Sequence, residues 1–97
     1  MKVTIELSGG LDLCFDGHKT FEVVLENQEN IKMGDLITVI AKNYVKKKPE
    51  FFVGVDNQLR AGILVLINDA DWELEGKDEA NVENKDRISF ISTLHGG

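Results

Sequence analysis

With 97 residues, 42% of them hydrophobic and 29% charged, the chain has the size and balance of one small globular domain. A net charge of −6 argues against direct binding to a phosphate backbone, and a single cysteine excludes an internal disulfide framework and any multi-cysteine metal site. No apolar run approaches the roughly 18 residues of a membrane helix, and the opening MKVTIELSGG alternates instead of carrying a signal-peptide core, so a reducing compartment, cytoplasmic or nuclear, is expected.

The first element is a strand over residues 2–8. Val3, Ile5 and Leu7 fall on one face, and Lys2, Thr4, Glu6 and Ser8 on the other. Gly9-Gly10 breaks it, and Asp16-Gly17 marks a turn. Between them Leu11, Leu13 and Phe15 read as a strand extension or as a loop folded onto the core. Alternation resumes from Lys19 to Glu26, which predicts an antiparallel hairpin with a long irregular loop. The period then changes. At about 100° per residue, Leu36, Ile37, Ile40 and Tyr44 share one arc, while Asp35, Thr38, Lys42 and Lys46 lie opposite. An amphipathic helix is therefore expected over residues 34–47. Asp35 would sit at its positive end and Lys46, Lys47 and Lys48 at its negative end, with Pro49 closing it.

Residues 50–62 are irregular. Ile63-Leu64-Val65-Leu66-Ile67 runs apolar without alternation, as a strand covered on both faces would. Asn68 to Asp71 predicts a turn, Trp72-Glu73-Leu74 a short edge strand, and Lys77 to Asp86 a polar loop with room for one helical turn. Arg87 to Thr93 is the last strand, able to pair beside the first. Strands flanking one helix imply an α+β domain, with the helix packed on one face of a mixed sheet. One domain is expected over 1–93, with a flexible tail over 94–97.

No catalytic constellation assembles. Cys14 lies between Leu13 and Phe15, where an inert buried thiol is expected, and its candidate bases His18 and His95 fall in a turn and in the tail. Asp69, Asp71 and Glu73 lack the order and distal glutamate of a calcium loop, so an acidic hairpin turn is the better account. Gly9-Gly10 has no following GK[ST]. The lysines at 46–48 read as a solvated helix end, though one could dock a partner or accept a conjugate. Neither a metal site nor a bound cofactor is expected.

The sequence ends Leu94-His95-Gly96-Gly97. Terminal glycines contribute nothing to a fold, and fraying or a cloning remnant would be the plain reading. They do suit one chemistry. A carboxylate must be activated before it can acylate or be thiolated, usually as an acyl-adenylate made from ATP. Glycines can thread a narrow channel towards the nucleotide where a larger side chain would clash.

The blocks NDADWELEG and STLHGG, with Gly9-Gly10 and the helix before them, closely resemble the ubiquitin-related modifier family across essentially the whole chain. The glycines continue a matching block, which weakens the cloning-remnant reading. Family members usually carry proline where this chain has Ala61 and an aliphatic residue where it has Cys14; neither departure touches the tail. The resemblance implies a ubiquitin-like β-grasp fold, a mixed four- to five-stranded sheet on one main helix. It also implies a carrier rather than an enzyme.

In that reading an adenylating, sulfur-transferring enzyme activates the Gly97 carboxylate with ATP. It then converts that end to a thiocarboxylate, using sulfur relayed from a rhodanese-like cysteine. Leu94, His95 and Gly96 are the segment threaded into that enzyme. The sulfur passes to a tRNA thiolation enzyme complex for the 2-thio group of wobble uridines, and the same activated end can be attached to lysines of target proteins. Two alternatives stand beside it. One is a non-catalytic β-grasp interaction module with an incidental tail. The other is a carrier for molybdopterin- or thiamine-type biosynthesis, which the LHGG ending and the NDADWELEG block disfavour.

Overall fold

The structure, a computed structural model, describes residues 1–93; the tail expected at 94–97 lies outside the described residues. The opening alternation forms strand β1, Lys2–Ser8, and buries Val3, Ile5 and Leu7. Strand β2, Thr20–Val24, pairs with it antiparallel, Val23 opposite Val3. Of the two readings for residues 11–15 the second holds. A 3-10 helix over Leu11–Phe15 folds onto the core and buries Leu11, Cys14 and Phe15. Its tighter period turns Leu13 outward, 65% exposed.

Strand β3, Asn30–Lys32, leads directly into helix α1, Met33–Asn43, which buries Met33, Leu36, Ile37 and Ile40. The helix stops short of the expected residue 47 because other carbonyls claim its next amides. The Val45 N–H reaches back to Ile40, and the N–H groups of Lys46 and Lys47 both donate to the Cys14 carbonyl, at 2.8 and 3.2 Å. Lys46, Lys47 and Lys48 thus lie past the helix end instead of forming its last turn. Lys48 is left-handed, and Pro49 opens a 3-10 turn, Pro49–Phe51, which precedes buried Phe52 and Val53.

Strand β4, Ile63–Ile67, buries Ile63, Val65 and Ile67 but leaves Leu64 and Leu66 half-exposed. The expectation of cover on both faces fails here, because the helix lies on one side of the sheet only. Asn68 and Asp69 are both left-handed and turn the chain into strand β5, Ala70–Asp71. The expected edge strand at 72–74 is instead a 3-10 helix, Trp72–Glu75. Its first turn is capped by the Asp71 carboxylate, which accepts from the Glu73 N–H at 2.9 Å, and Trp72 is buried. Strand β6, Asn81–Glu83, is an element the periodicity does not announce. It pairs antiparallel with β3, Ile31 against Val82.

Strand β7, Arg87–Ser92, completes the main sheet in the order β2-β1-β7-β4-β5. β7 lies parallel to β1 and antiparallel to β4, so the sheet is mixed and five-stranded, and the last strand sits beside the first as expected. A line of rings crosses the core. Tyr44 stacks on Phe21, Phe21 on Phe15, and Phe52 meets both Phe15 and Phe90 edge-on, with centroids 5.1–5.6 Å apart.

Candidate functional site

β7 holds the central position in the sheet, which fixes the line along which the chain leaves the domain. Ile88 and Phe90 are fully buried, and Phe90 is packed on Phe52. On the open face the Ser89 hydroxyl donates to Glu6 of β1 at 3.2 Å, and the Arg87 Nε lies 3.3 Å from the same carboxylate. The Arg87 guanidinium also donates to Asp69 in the β4–β5 turn, and that bond, then the guanidinium charge, holds the Asp69 carboxyl below the usual aspartate range. Three segments are thereby tied across one face.

The exit is shaped by two glycines. Gly9 is left-handed, and a Cβ there would lie 2.3 Å from the Ser92 carbonyl oxygen and 3.0 Å from its nitrogen. Only glycine lets the β1 end lie this close to β7. On the other side the Thr93 N–H donates to the Gly62 carbonyl at 3.0 Å, and the Thr93 hydroxyl donates to the same oxygen. Beside the exit is a shallow cleft of about 330 Å³, bordered by Gly9, Gly10, Leu13, Phe51, Arg60 and Ser92. Leu13 and Phe51 are 65% and 50% exposed.

The other candidates have structural occupations. Cys14 is buried and its thiol donates to the Lys48 carbonyl at 3.6 Å; burial, then Glu50 and Asp12, push its pKa up, which lowers its nucleophilicity. His18 is exposed. Asp69 pairs with Arg87 and Asp71 caps a 3-10 turn, so the acidic group serves its turn, as expected. Among the described residues no group of three His, Cys, Asp or Glu side chains is placed to hold a metal ion. No helix among them is long and apolar enough to cross a membrane.

The tail residues Leu94, His95, Gly96 and Gly97 lie outside the described residues. What the described part supplies is a strand end held at Ser92 and Thr93 and a half-apolar cleft beside it. Phe51, Arg60 and Gly62 were not singled out from the sequence, and Leu13 was read there only with Leu11 and Phe15, as strand extension or core-facing loop. The signal was faint: Phe51-Phe52 is an aromatic pair in an irregular stretch, of which one ring enters the core and the other borders the exit.

Comparison with known proteins bears on what such an exit serves. A family model described as Urm1 (ubiquitin related modifier) matches residues 2–97. A ubiquitin-related modifier 1 homolog of Dictyostelium discoideum is 57% identical over 97 residues, covering 100% of both chains. Among solved structures, an Rurm1-related protein from Plasmodium yoelii superimposes with a TM-score of 0.83 at 26% identity, covering 97% of this chain and 99% of that one. The solution structure of Urm1 from Trypanosoma brucei does so with a TM-score of 0.76 at 32% identity, covering 99% and 95%. A domain of this topology, matched over its full length at this identity, belongs to the ubiquitin-related modifier family, a ubiquitin-like family of β-grasp proteins.

Proposed function

We propose that this chain is a sulfur carrier whose working group is the carboxylate of Gly97, and that another protein performs the catalysis. One observation carries the reading. β7 is locked into the centre of the sheet and ends at Ser92, with Thr93 fastened to Gly62, so the body delivers its last four residues, 94–97, from a fixed point. Holding a reacting end in line is what makes its activation efficient.

The proposed sequence balances as follows. A Gly97 carboxylate oxygen attacks the α-phosphorus of ATP in an activating enzyme; the new P–O bond gives an acyl-adenylate and pyrophosphate leaves. Sulfane sulfur relayed from a rhodanese-like cysteine attacks the carbonyl carbon, a C–S bond forms, and AMP leaves. A thiol then reduces the remaining S–S bond, forming a disulfide and freeing the thiocarboxylate. In a tRNA thiolation enzyme complex a second ATP adenylates O2 of the wobble uridine; the thiocarboxylate sulfur attacks C2, that oxygen leaves in AMP, and water cleaves the acyl C–S bond, which leaves the 2-thio group and regenerates the Gly97 carboxylate. The chain binds no cofactor of its own. Leu94, His95 and Gly96 are the segment held by the enzyme. A cytoplasmic or nuclear location and division into a domain over 1–93 and a tail over 94–97 belong to the same reading.

The relatives' name, modifier, favours a second use of the same end. A target lysine amine attacks the activated carbonyl, a C–N bond forms, and the activating group leaves. Incubation with the activating enzyme, ATP and a sulfur source, followed by intact mass measurement, tests the carrier reading. The expected result is one oxygen-for-sulfur exchange at the C-terminus. No change, under conditions that convert a control carrier, would refute it.

A further inference from the structure

We propose that the cleft beside the exit is a docking surface for the activating enzyme, which sets an apolar side chain between Leu13 and Phe51 and a carboxylate on Arg60. The inference rests on the carrier reading and adds to it the surface that the enzyme grips outside the tail.

Reach is the first argument. If Gly97 is the reacting residue, its carbonyl lies only four residues beyond Thr93, no more than about 14 Å of extended chain. An enzyme that encloses Gly97 must therefore come down onto the ground around Ser92 and Gly9, which is the wall of this cleft.

Composition is the second. Leu13 and Phe51 are large apolar side chains left mostly or half in water, on two separate 3-10 turns that the fold brings to one place. The chain turns that put Phe15 and Phe52 inside leave Leu13 and Phe51 outside, where neither belongs to the buried core. Apolar side chains grouped around a concave site are the usual core of an interface.

Charge is the third. The chain carries −6 overall, yet no residue lining the cleft is acidic, and Arg60 is the charged residue there. Its guanidinium is positioned by donating to the Glu50 carbonyl at 3.0 Å. Lys48 adds a second cation, 5.3 Å from the Phe51 ring centre. Asp12 and Glu50 flank Leu13 and Phe51 in sequence, so the attraction for a partner's carboxylate is local to Arg60, whose planar fork can hold one in two bonds.

The test is chain-dependent ATP–pyrophosphate exchange by the activating enzyme, with KM for the chain and kcat measured separately. Leu13→Asp, Phe51→Asp and Arg60→Glu are each expected to raise KM about tenfold or more while kcat stays within about twofold. Val24→Asp is the control. Val24 is also exposed, but it pairs with Lys2 at the opposite end of β1, and its KM should not move. Thermal melts of the variants should match the parent, because all four sites are exposed.

Unchanged KM in folded cleft variants, with normal exchange by the parent chain, overturns the docking surface and leaves the carrier reading standing. No exchange by the parent chain overturns both. Two other occupants are tested on the isolated chain. Removing 94–97 should leave the Leu13 methyl and Phe51 ring resonances in place; a shift would assign the cleft to the chain's own tail. Sedimentation should show a monomer; a dimer that Leu13→Asp dissociates would assign it to a second copy.

Discussion

The middle of β7 and its exit, only a few residues apart, are built on different principles. At Ile88 and Phe90 the chain is held by side chains in a dry interior, with strands on both flanks and Phe52 against Phe90. At Ser92 and Thr93 it is positioned by backbone: Gly9 gives way to Ser92, and Gly62 accepts from Thr93. The first arrangement supplies stability and tolerates little change in volume. The second supplies direction at small energetic cost. For the proposed carrier this division predicts that the end beyond Thr93 can be altered without unfolding the body.

Breaking the buried half should have the largest effect on stability. Phe90→Ala removes a ring that touches Phe52 and leaves a cavity, with an expected loss of about 3–5 kcal/mol in urea unfolding. That is a large share of the roughly 5–15 kcal/mol a domain of this size has. Activation of the variant should fall only in proportion to its unfolded fraction.

At the exit the expected pattern reverses. Gly9→Ala places a methyl group where the Ser92 carbonyl stands and forces alanine into a left-handed conformation. We expect about 2 kcal/mol of destabilisation. The displaced strand end should lower activation by the partner enzyme further than the unfolded fraction explains, which separates it from Phe90→Ala.

Cys14→Ser sharpens the contrast from outside β7. Placing a hydroxyl at this buried position should cost about 1–2 kcal/mol and leave sulfur transfer intact. A folded variant unable to transfer sulfur would make Cys14 a relay.

The smallest effect is expected on the open face. Asp69 has a carboxyl pKa depressed by Arg87, so its contribution to stability is present above the unfolded value of about 3.9 and lost as pH falls through the lower folded value. Asp69→Asn should remove that small contribution at pH 7 and, with it, that part of the acid sensitivity in a melt against pH. An unchanged acid limb would mean the pair contributes nothing measurable, as many exposed pairs do.

The main sheet and the helix were legible because their patterns are long. Val3, Ile5 and Leu7 repeat at the strand period, and Leu36, Ile37 and Ile40 at the helical one. β3 and β6 were not, since each offers a single buried residue, Ile31 or Val82, and one residue has no period. The helix end was misplaced because Tyr44 continues the apolar arc, while the Cys14 carbonyl that diverts Lys46 and Lys47 is remote in sequence. Trp72 to Leu74 carried strand-like residues, yet the Asp71 cap closed a 3-10 turn instead. The Gly-Gly end was readable as a motif. The cleft was not, because Leu13, Phe51 and Arg60 meet only in the fold.

The central claim is that one protein carries the reactive carboxyl while its fold merely presents it. Trapping the acyl-adenylate on the full chain and on the chain lacking Gly97, with melts of both, tests this most directly. Removing one residue shortens the reach by about 3.6 Å, enough to withdraw the carboxylate from the nucleotide. The account predicts adenylate on the full chain, none on the shortened one, and superimposable melts. Adenylate retained without Gly97, or a shortened chain that fails to fold, would contradict it.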